Sequence, residues 1–264
     1  FLIFGIAFDQ IANAYEDEHP GVTVHLNYAG SQRLRTQLEH GASADVFASA
    51  DRIQMDRLMV SGFLLGQAVQ FTTNRLVVIV PNLNGTVSEK SSLARREREH
   101  YESGPVHTLE DMAKQGVKLV MASPEVPAGN YARTVIGNLG AVSGSNTDYA
   151  ERVLANVVSM EPNVRGVAQK VALGEADAGI VYWSDAQVQA LIGRARIIPI
   201  PEPSNMIARY PVARLRGSVE PDLAEAFIHF LLSSQGQDIM LDHGFGTKDA
   251  HQRPPVGSSS RNDG

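Results

Sequence analysis

The stretch VTVHLNYAGSQRLRTQLEHGASADVFASA (22–50) reads as strand, helix and strand in close succession. VTVHLNY (22–28) is rich in β-branched and aromatic residues, the composition of a pleated, half-buried run. SQRLRTQLEHG (31–41) places Leu34 and Leu38 on one helical face, with Ser31 at the N-cap position and Gly41 as the stop. ADVFASA (44–50) is short and apolar, and Asp51 behind it is placed to cap the next helix, which Gly62 closes.

Working outward, the chain keeps this alternation. On the N-terminal side, FLIF (1–4) reads as a buried strand and AFDQIANAYEDEHPG (7–21) as an amphipathic helix with its exit turn. Only Gly5 and Ile6 separate them, an unusually short junction for a crossover. The reading expects a loop between them that the sequence does not contain. On the other side, RLVVIVP (75–81) is a nearly unbroken apolar strand of the kind covered on both faces. TLEDMAKQG (108–116) reads as a capped helix, VKLVMAS (117–123) as a strand, and NYARTVIGNLG (130–140) as a helix ended by Gly140. NVRGVAQKVALG (163–174) is a further helix and AGIVYW (178–183) a strand. IGRARIIPIPEP (192–203) and YPVARLRG (210–217) each contain a strand, and two helices follow before residue 246.

Repeated strand–helix–strand units make the class α/β with mainly parallel sheets flanked by helices. The polar stretch 84–107 reads as a surface insertion, and ARRERE within it interleaves acids with its arginines, which argues against nucleic acid. Two segments, around Pro81 and around Pro199 to Pro203, are placed to carry the chain from one lobe to another and back. Residues 1–81 with 201–246 then form lobe I, 82–200 lobe II, and 247–264 a disordered tail.

Composition narrows the chemistry. The 264 residues carry 23 Lys and Arg against 29 Asp and Glu, a net charge of −6, which disfavours a general nucleic-acid binder. Cysteine is absent, which removes disulfides, Cys-ligated zinc and thiol catalysis. No apolar run approaches the roughly 20 residues that span a bilayer. There is no GxSxG, HExxH or Walker-type loop, and the eight His show no metal spacing. The chain starts without an initiator Met, as expected of a mature or trimmed product.

Three strand-to-helix junctions offer small or hydroxyl residues at a helix start: NYAGSQRL with Ser31, SPEVPAGNYA with Ala128, and MEPNVRGVAQ with Val164 behind Asn163. Each taken alone is explained by capping or turn formation. Tyr182 stands at the end of an apolar strand, where open α/β sheets bind ligands, although a strand-end Tyr is commonly packing. Together they present neutral donors on one side of the sheets, a set suited to a small anion.

The segments HPGVTVHLNYAGSQRLRTQLEHGASADVFASAD, SPEVPAGNYAR and NVRGVAQKVALGEADAGIVYWSDA resemble the periplasmic molybdate-binding proteins of bacterial ABC transporters. The resemblance implies a two-lobed binding-protein fold with two crossover hinges and no enzymatic activity. It implies no cofactor and no protein-bound metal; the ligand is molybdate or tungstate, held by Ser31, Ala128, Val164 and Tyr182. Ser31 gives its hydroxyl and N–H, Ala128 and Val164 give N–H groups, and Tyr182 its phenol. ABC permease subunits are the implied partners, the expected state is a monomer, and the location is periplasmic or extracytoplasmic, membrane-anchored in a Gram-positive-type host. Sulfate, phosphate or a small organic anion is the alternative ligand. The family pattern also has a small-residue segment with a ligand serine before the first helix; about five residues of it are missing here, and no serine precedes Ser31.

Overall fold

The computed structural model describes residues 2–82, 104–142, 148–188 and 193–248. Along them run α1 (Leu2–Glu18), α2 (Ser31–Glu39), β1 (Val46–Ala48), α3 (Arg52–Val60), β2 (Val69–Pro81) and a 3₁₀ turn (Glu110–Ala113). Then come β3 (Leu119–Ala122), α4 (Pro127–Val142), α5 (Tyr149–Ala155), β4 (Val157–Glu161) and α6 (Val164–Ala172). The chain closes with β5 (Ala178–Tyr182), α7 (Trp183–Ala186), β6 (Ala195–Pro199), β7 (Ile207–Arg214), α8 (Pro221–Leu232) and α9 (Ser234–Asp242).

The 13-residue β2 organises both sheets. Its first half, through Arg75, pairs antiparallel with β7, which in turn pairs with the edge strand β1. Its second half, from Leu76, pairs antiparallel with β5 on one edge and β6 on the other. Beyond β5 lie β3 and then β4, both parallel. β6 and β7 therefore follow one another along β2, with a break between them. Asn205 fills that break: its side-chain carbonyl accepts from the Leu76 N–H at 3.2 Å and its amide donates to the Leu76 C=O at 2.9 Å. One side chain thus replaces a strand where β2 changes partners, so that a buried backbone pair does not go unsatisfied.

The α/β class stands. The mainly parallel expectation does not, because every β2 pairing and the β1–β7 pairing are antiparallel and only β3–β4 and β3–β5 run parallel. An unbroken apolar run reports cover on both faces, not direction, and β2 has that cover in either case.

The N-terminal strand expectation is overturned. Leu2–Phe4 belong to α1, and no junction exists at Gly5 and Ile6. Phe4, Phe8, Ile11 and Tyr15 have helical spacing, with Ala7, Phe8, Ile11, Ala12 and Tyr15 buried. The Phe4 and Phe8 rings lie 4.6 Å apart, one turn from each other, and Phe4 also meets Phe71, Tyr210 and Phe245. VTVHLNY likewise is not a strand. It keeps strand alternation, with Val22, Val24 and Leu26 half-buried and Thr23, His25 and Asn27 exposed, but pairs with no other described strand. Without a neighbour in register it is extended chain. Its whole length and the free edge of β1 line one cavity of about 550 Å³.

Smaller differences have local causes. Gly30, not Ser31, is the N-cap of α2. TLEDMAKQG forms the 3₁₀ turn rather than a helix, because Asp111 takes the His107 and Thr108 N–H groups and pairs with Lys114 at 2.6 Å. α4 starts at Pro127 and runs past Gly140, which packs against Ala150. β4 escaped the reading because its apolar residues, Val158 and Met160, face outward while Ser159 and Glu161 are half-buried. Gly41 and Gly62 do end their helices, at φ of 92° and 77°. Residues 83–103, within the polar stretch, and 249–264 of the tail lie outside the described residues.

Replacing Asn205 with Ala should cost about 2–3 kcal/mol of unfolding free energy, since the Leu76 N–H and C=O are both left unsatisfied. Denaturant unfolding monitored by circular dichroism checks this, and an unchanged midpoint would show that water or backbone fills the break.

Candidate functional site

Ser31 is the first residue of α2 and is almost fully buried. Its hydroxyl accepts the Ala50 N–H at 3.0 Å. A hydroxyl that accepts in this way keeps its proton free to donate elsewhere, and its N–H stands where a helix leaves donors unpaired. The Ser-to-Ala50 bond also ties the start of α2 to the end of β1. Asp51, next in line, caps α3 by accepting the Gln54 N–H at 2.9 Å, as the sequence implied.

Tyr182 ends β5, with 4% of its surface exposed. Its hydroxyl is buried and makes no hydrogen bond of good geometry among the described residues, its polar neighbour being the Tyr210 phenol, toward which it acts as a weak donor. Burial pushes the phenol well above its ordinary range, reinforced by the neighbouring Tyr210, Tyr131, Asp51 and Asp185, so it stays protonated at neutral pH. A protonated phenol in a buried place without a well-placed acceptor costs free energy until something supplies one. Ser31 and Tyr182 line the same cavity of about 550 Å³, together with Ser184, Asp185 and Tyr210.

Ala128 and Val164 stand in the first turns of α4 and α6. Both are buried, and Asn163 caps α6 by accepting the Gly166 N–H at 3.0 Å. Neither lines the cavity that holds Ser31 and Tyr182. A second cavity of about 510 Å³ lies between α2 and α3 on one side and residues 124–130 on the other. It brings Gln32, Arg33 and Arg57 opposite Glu125, Val126 and Asn130, which flank Ala128. The structure thus joins Ser31 with Tyr182 and sets the Ala128 loop across a gap from α2.

The PAG segment (127–129) has a steric reason. A Cβ on Gly129 would stand 2.1 Å from the Ser123 carbonyl and 2.4 Å from that of Ala122. Only glycine lets the start of α4 lie directly on the end of β3, which fixes where the Ala128 N–H is presented. Gly179 serves packing in the same way, since a Cβ there would meet Val167 at 2.7 Å.

Several polar residues near the site carry no motif. Tyr131, one turn after Ala128, is pushed up to about 12 by burial and the Asp51 carboxylate, against a hydrogen bond from the Arg209 backbone. It therefore reaches from α4 to β7. Asn74 donates to the Ser184 hydroxyl at 2.8 Å, close to where β2 changes partners. Both are polar groups buried by tertiary packing, and their sequence neighbourhoods look like ordinary strand and helix. Asp45 of GASADVFASAD accepts from the Ser218 hydroxyl and the Val219 and Glu220 N–H groups and so holds a loop. Trp183 is half-buried, with the Arg75 guanidinium 4.3 Å from its ring centroid. Among the described residues no His, Asp or Glu cluster could hold a metal ion.

With this geometry in hand, comparison with known proteins places the chain in a class. The family model for bacterial extracellular solute-binding proteins matches residues 4–246, and the chain belongs to that family. The molybdate-binding protein ModA of Mycobacterium tuberculosis is 32% identical over 239 residues, covering 90% of this chain and 79% of that protein. ModA of Escherichia coli is 31% identical over 245 residues, covering 92% and 85%. The substrate-binding domain of a putative molybdenum ABC transporter from Clostridium difficile shares the fold with a TM-score of 0.67 and 26% identity, over 93% of this chain and 95% of that one. The sulfate-binding protein SubI of Mycobacterium tuberculosis, at 16% identity and a TM-score of 0.73, covering 92% and 83%, shares the fold. The fold is that of the periplasmic binding proteins.

Replacing Gly129 with Ala should destabilise the chain by about 1–3 kcal/mol, the usual cost of forcing an atom into a packed contact. Thermal melting measures the loss. A Gly129→Ala chain that melts like the parent would mean that α4 sits farther from β3 than this.

Proposed function

We propose that the chain is an extracytoplasmic capture protein for molybdate or tungstate, held in the cleft between two lobes and handed to the permease of an ABC transporter. β2 changes partners between Arg75 and Leu76, and the return passes through residues 200–206. That supports lobes of about the expected extent, with residues 1–75 and 206–246 on one side and most of 76–200 on the other. The observation that carries the reading is the Tyr182 hydroxyl: buried, protonated, without a hydrogen bond of good geometry, and in one cavity with the Ser31 hydroxyl.

The chemistry favours a dianion with no counter-charge. Ser31 and Tyr182 donate from neutral groups, and the first-turn N–H groups of Ala128 and Val164 add the positive end of each helix dipole. Closing the cleft would bring the Ala128 loop toward α2, exclude water and strengthen every bond to the anion. Neutral donors bind firmly yet release when the lobes part, as delivery to a permease requires. Transport, not turnover, is the role, and the related ModA sequences support molybdate over sulfate. No helix among the described residues is long and apolar enough to cross a membrane, in keeping with capture in an aqueous compartment.

Isothermal titration with molybdate, tungstate, sulfate and phosphate tests the proposal. Binding of the first two with none of sulfate is expected; heat from sulfate or phosphate alone would favour the alternative oxyanion reading. Tyr182→Phe should act differently on two measurements. It removes a buried donor whose one polar neighbour, Tyr210, it meets only weakly, so the ligand-free protein should melt at about the same temperature. It also removes a bond to a charged ligand, so affinity should fall by about 1.5–3 kcal/mol. Ser31→Ala should weaken binding similarly but lower the ligand-free melting temperature, because the Ala50 N–H loses its acceptor.

A further inference from the structure

The cleft cavity between α2, α3 and residues 124–130 carries more charge than an oxyanion site made of neutral donors needs. Three arginines line its lobe I wall: Arg33, Arg35 and Arg57. Arg35 is spent, with its guanidinium on Glu39 and its Nε on Gln54 at 2.9 Å. Arg57 acts on the neighbouring Asp51 and pulls that buried carboxyl down against the upward push of burial. Arg33 is exposed on α2, two residues after Ser31, and has no acidic partner among the described residues. Across the cavity stands the fully exposed carboxylate of Glu125, just before α4. It is held to its own backbone and Ser123, with Arg133 nearby as the cation of its own lobe. The two unlike charges line the same cavity of about 510 Å³ from opposite walls, and no ion pair joins them among the described residues.

We infer that Arg33 and Glu125 pair across the cleft when it closes on its anion, and that this pair sets how long the anion stays. The inference rests on the proposed anion-capture role. Both residues flank ligand donors, Arg33 beside Ser31 and Glu125 beside the Ala128 loop, so a contact between them closes over the site. Because the pair lies at the rim, its effect is on dissociation and is screened by salt.

Stopped-flow displacement of bound molybdate tests it. Arg33→Glu and Glu125→Arg should each speed dissociation about three- to fivefold at low salt, the span expected of an exposed ion pair. The double charge swap should return the rate to within about twofold of the parent, and the differences should shrink at 1 M salt. Additive losses in the double variant, or single variants that match the parent, would overturn the pairing. A readout without kinetics uses the absence of native cysteine. A chain with Arg33→Cys and Glu125→Cys should be joined by a short bis-methanethiosulfonate cross-linker faster than one with Arg52→Cys and Glu125→Cys, and faster still with molybdate. Equal rates for the two chains would again overturn it. If the parent chain ignores molybdate while the Arg33→Cys, Glu125→Cys chain still cross-links faster than the Arg52→Cys, Glu125→Cys chain, the ligand assignment falls and the closing contact stands.

Discussion

The structure depends on one strand that belongs to two sheets. β2 runs as one continuous strand, with a register shift between Gln70 and Thr72, yet its partners change completely between Arg75 and Leu76. The sheet-to-sheet relation is therefore set by one continuous backbone rather than by loops. The Asn205 side chain makes the change possible by completing the Leu76 hydrogen bonds where no strand is available. Everything that bears on the site hangs from this strand. Tyr182 is directly opposite Leu76 in the register, so the phenol is placed at the switch itself. Asn74, one residue before Arg75, holds Ser184 from the other side.

A second constraint follows from burial. The cavity around Ser31 and Tyr182 is lined largely by aromatic and aliphatic side chains, so it offers little solvation to a charge. Of the four expected donors only Ser31, at one helix start, and the Tyr182 phenol line it. The same environment acts on the protein's own acids: burial pushes the Asp51 carboxyl up, against the pull of Gln54 and Arg57. Asp185 is buried in the wall of the Ser31 and Tyr182 cavity, whereas Arg33, Arg57 and Glu125 are exposed at the second cavity, where water screens them.

The helix starts expected to present donors were legible because they leave local signatures. Asp51 and Asn163 cap their helices as their residue types dictate. Ser31 was placed one position off, at the N-cap, since Gly30 takes that role and frees the serine hydroxyl for Ala50. The need for Gly129 was not legible, because the clash it avoids is with β3, a strand that only packing brings there. Tyr131 and Asn74 were missed for the same reason. At the N-terminus the pattern misled. Phe4 and Phe8 satisfy both an apolar run and a helical stripe, and in the absence of a paired neighbour the helix wins.

By itself the sequence determined the caps at Asp51 and Asn163, the stops at Gly41 and Gly62, the strands ADVFASA, RLVVIVP, VKLVMAS and AGIVYW, and the resemblance to a solute-binding family. These are local or compositional, and residues within one turn or one strand carry them. The tertiary structure alone decided strand direction, the sharing of β2, the silence of VTVHLNY as a strand, and the placing of Arg33 and Glu125 on opposite walls of one cavity. Direction and pairing depend on which distant backbone arrives alongside. An apolar run such as RLVVIVP is equally content with a parallel or an antiparallel neighbour, so only the assembled sheets could settle it.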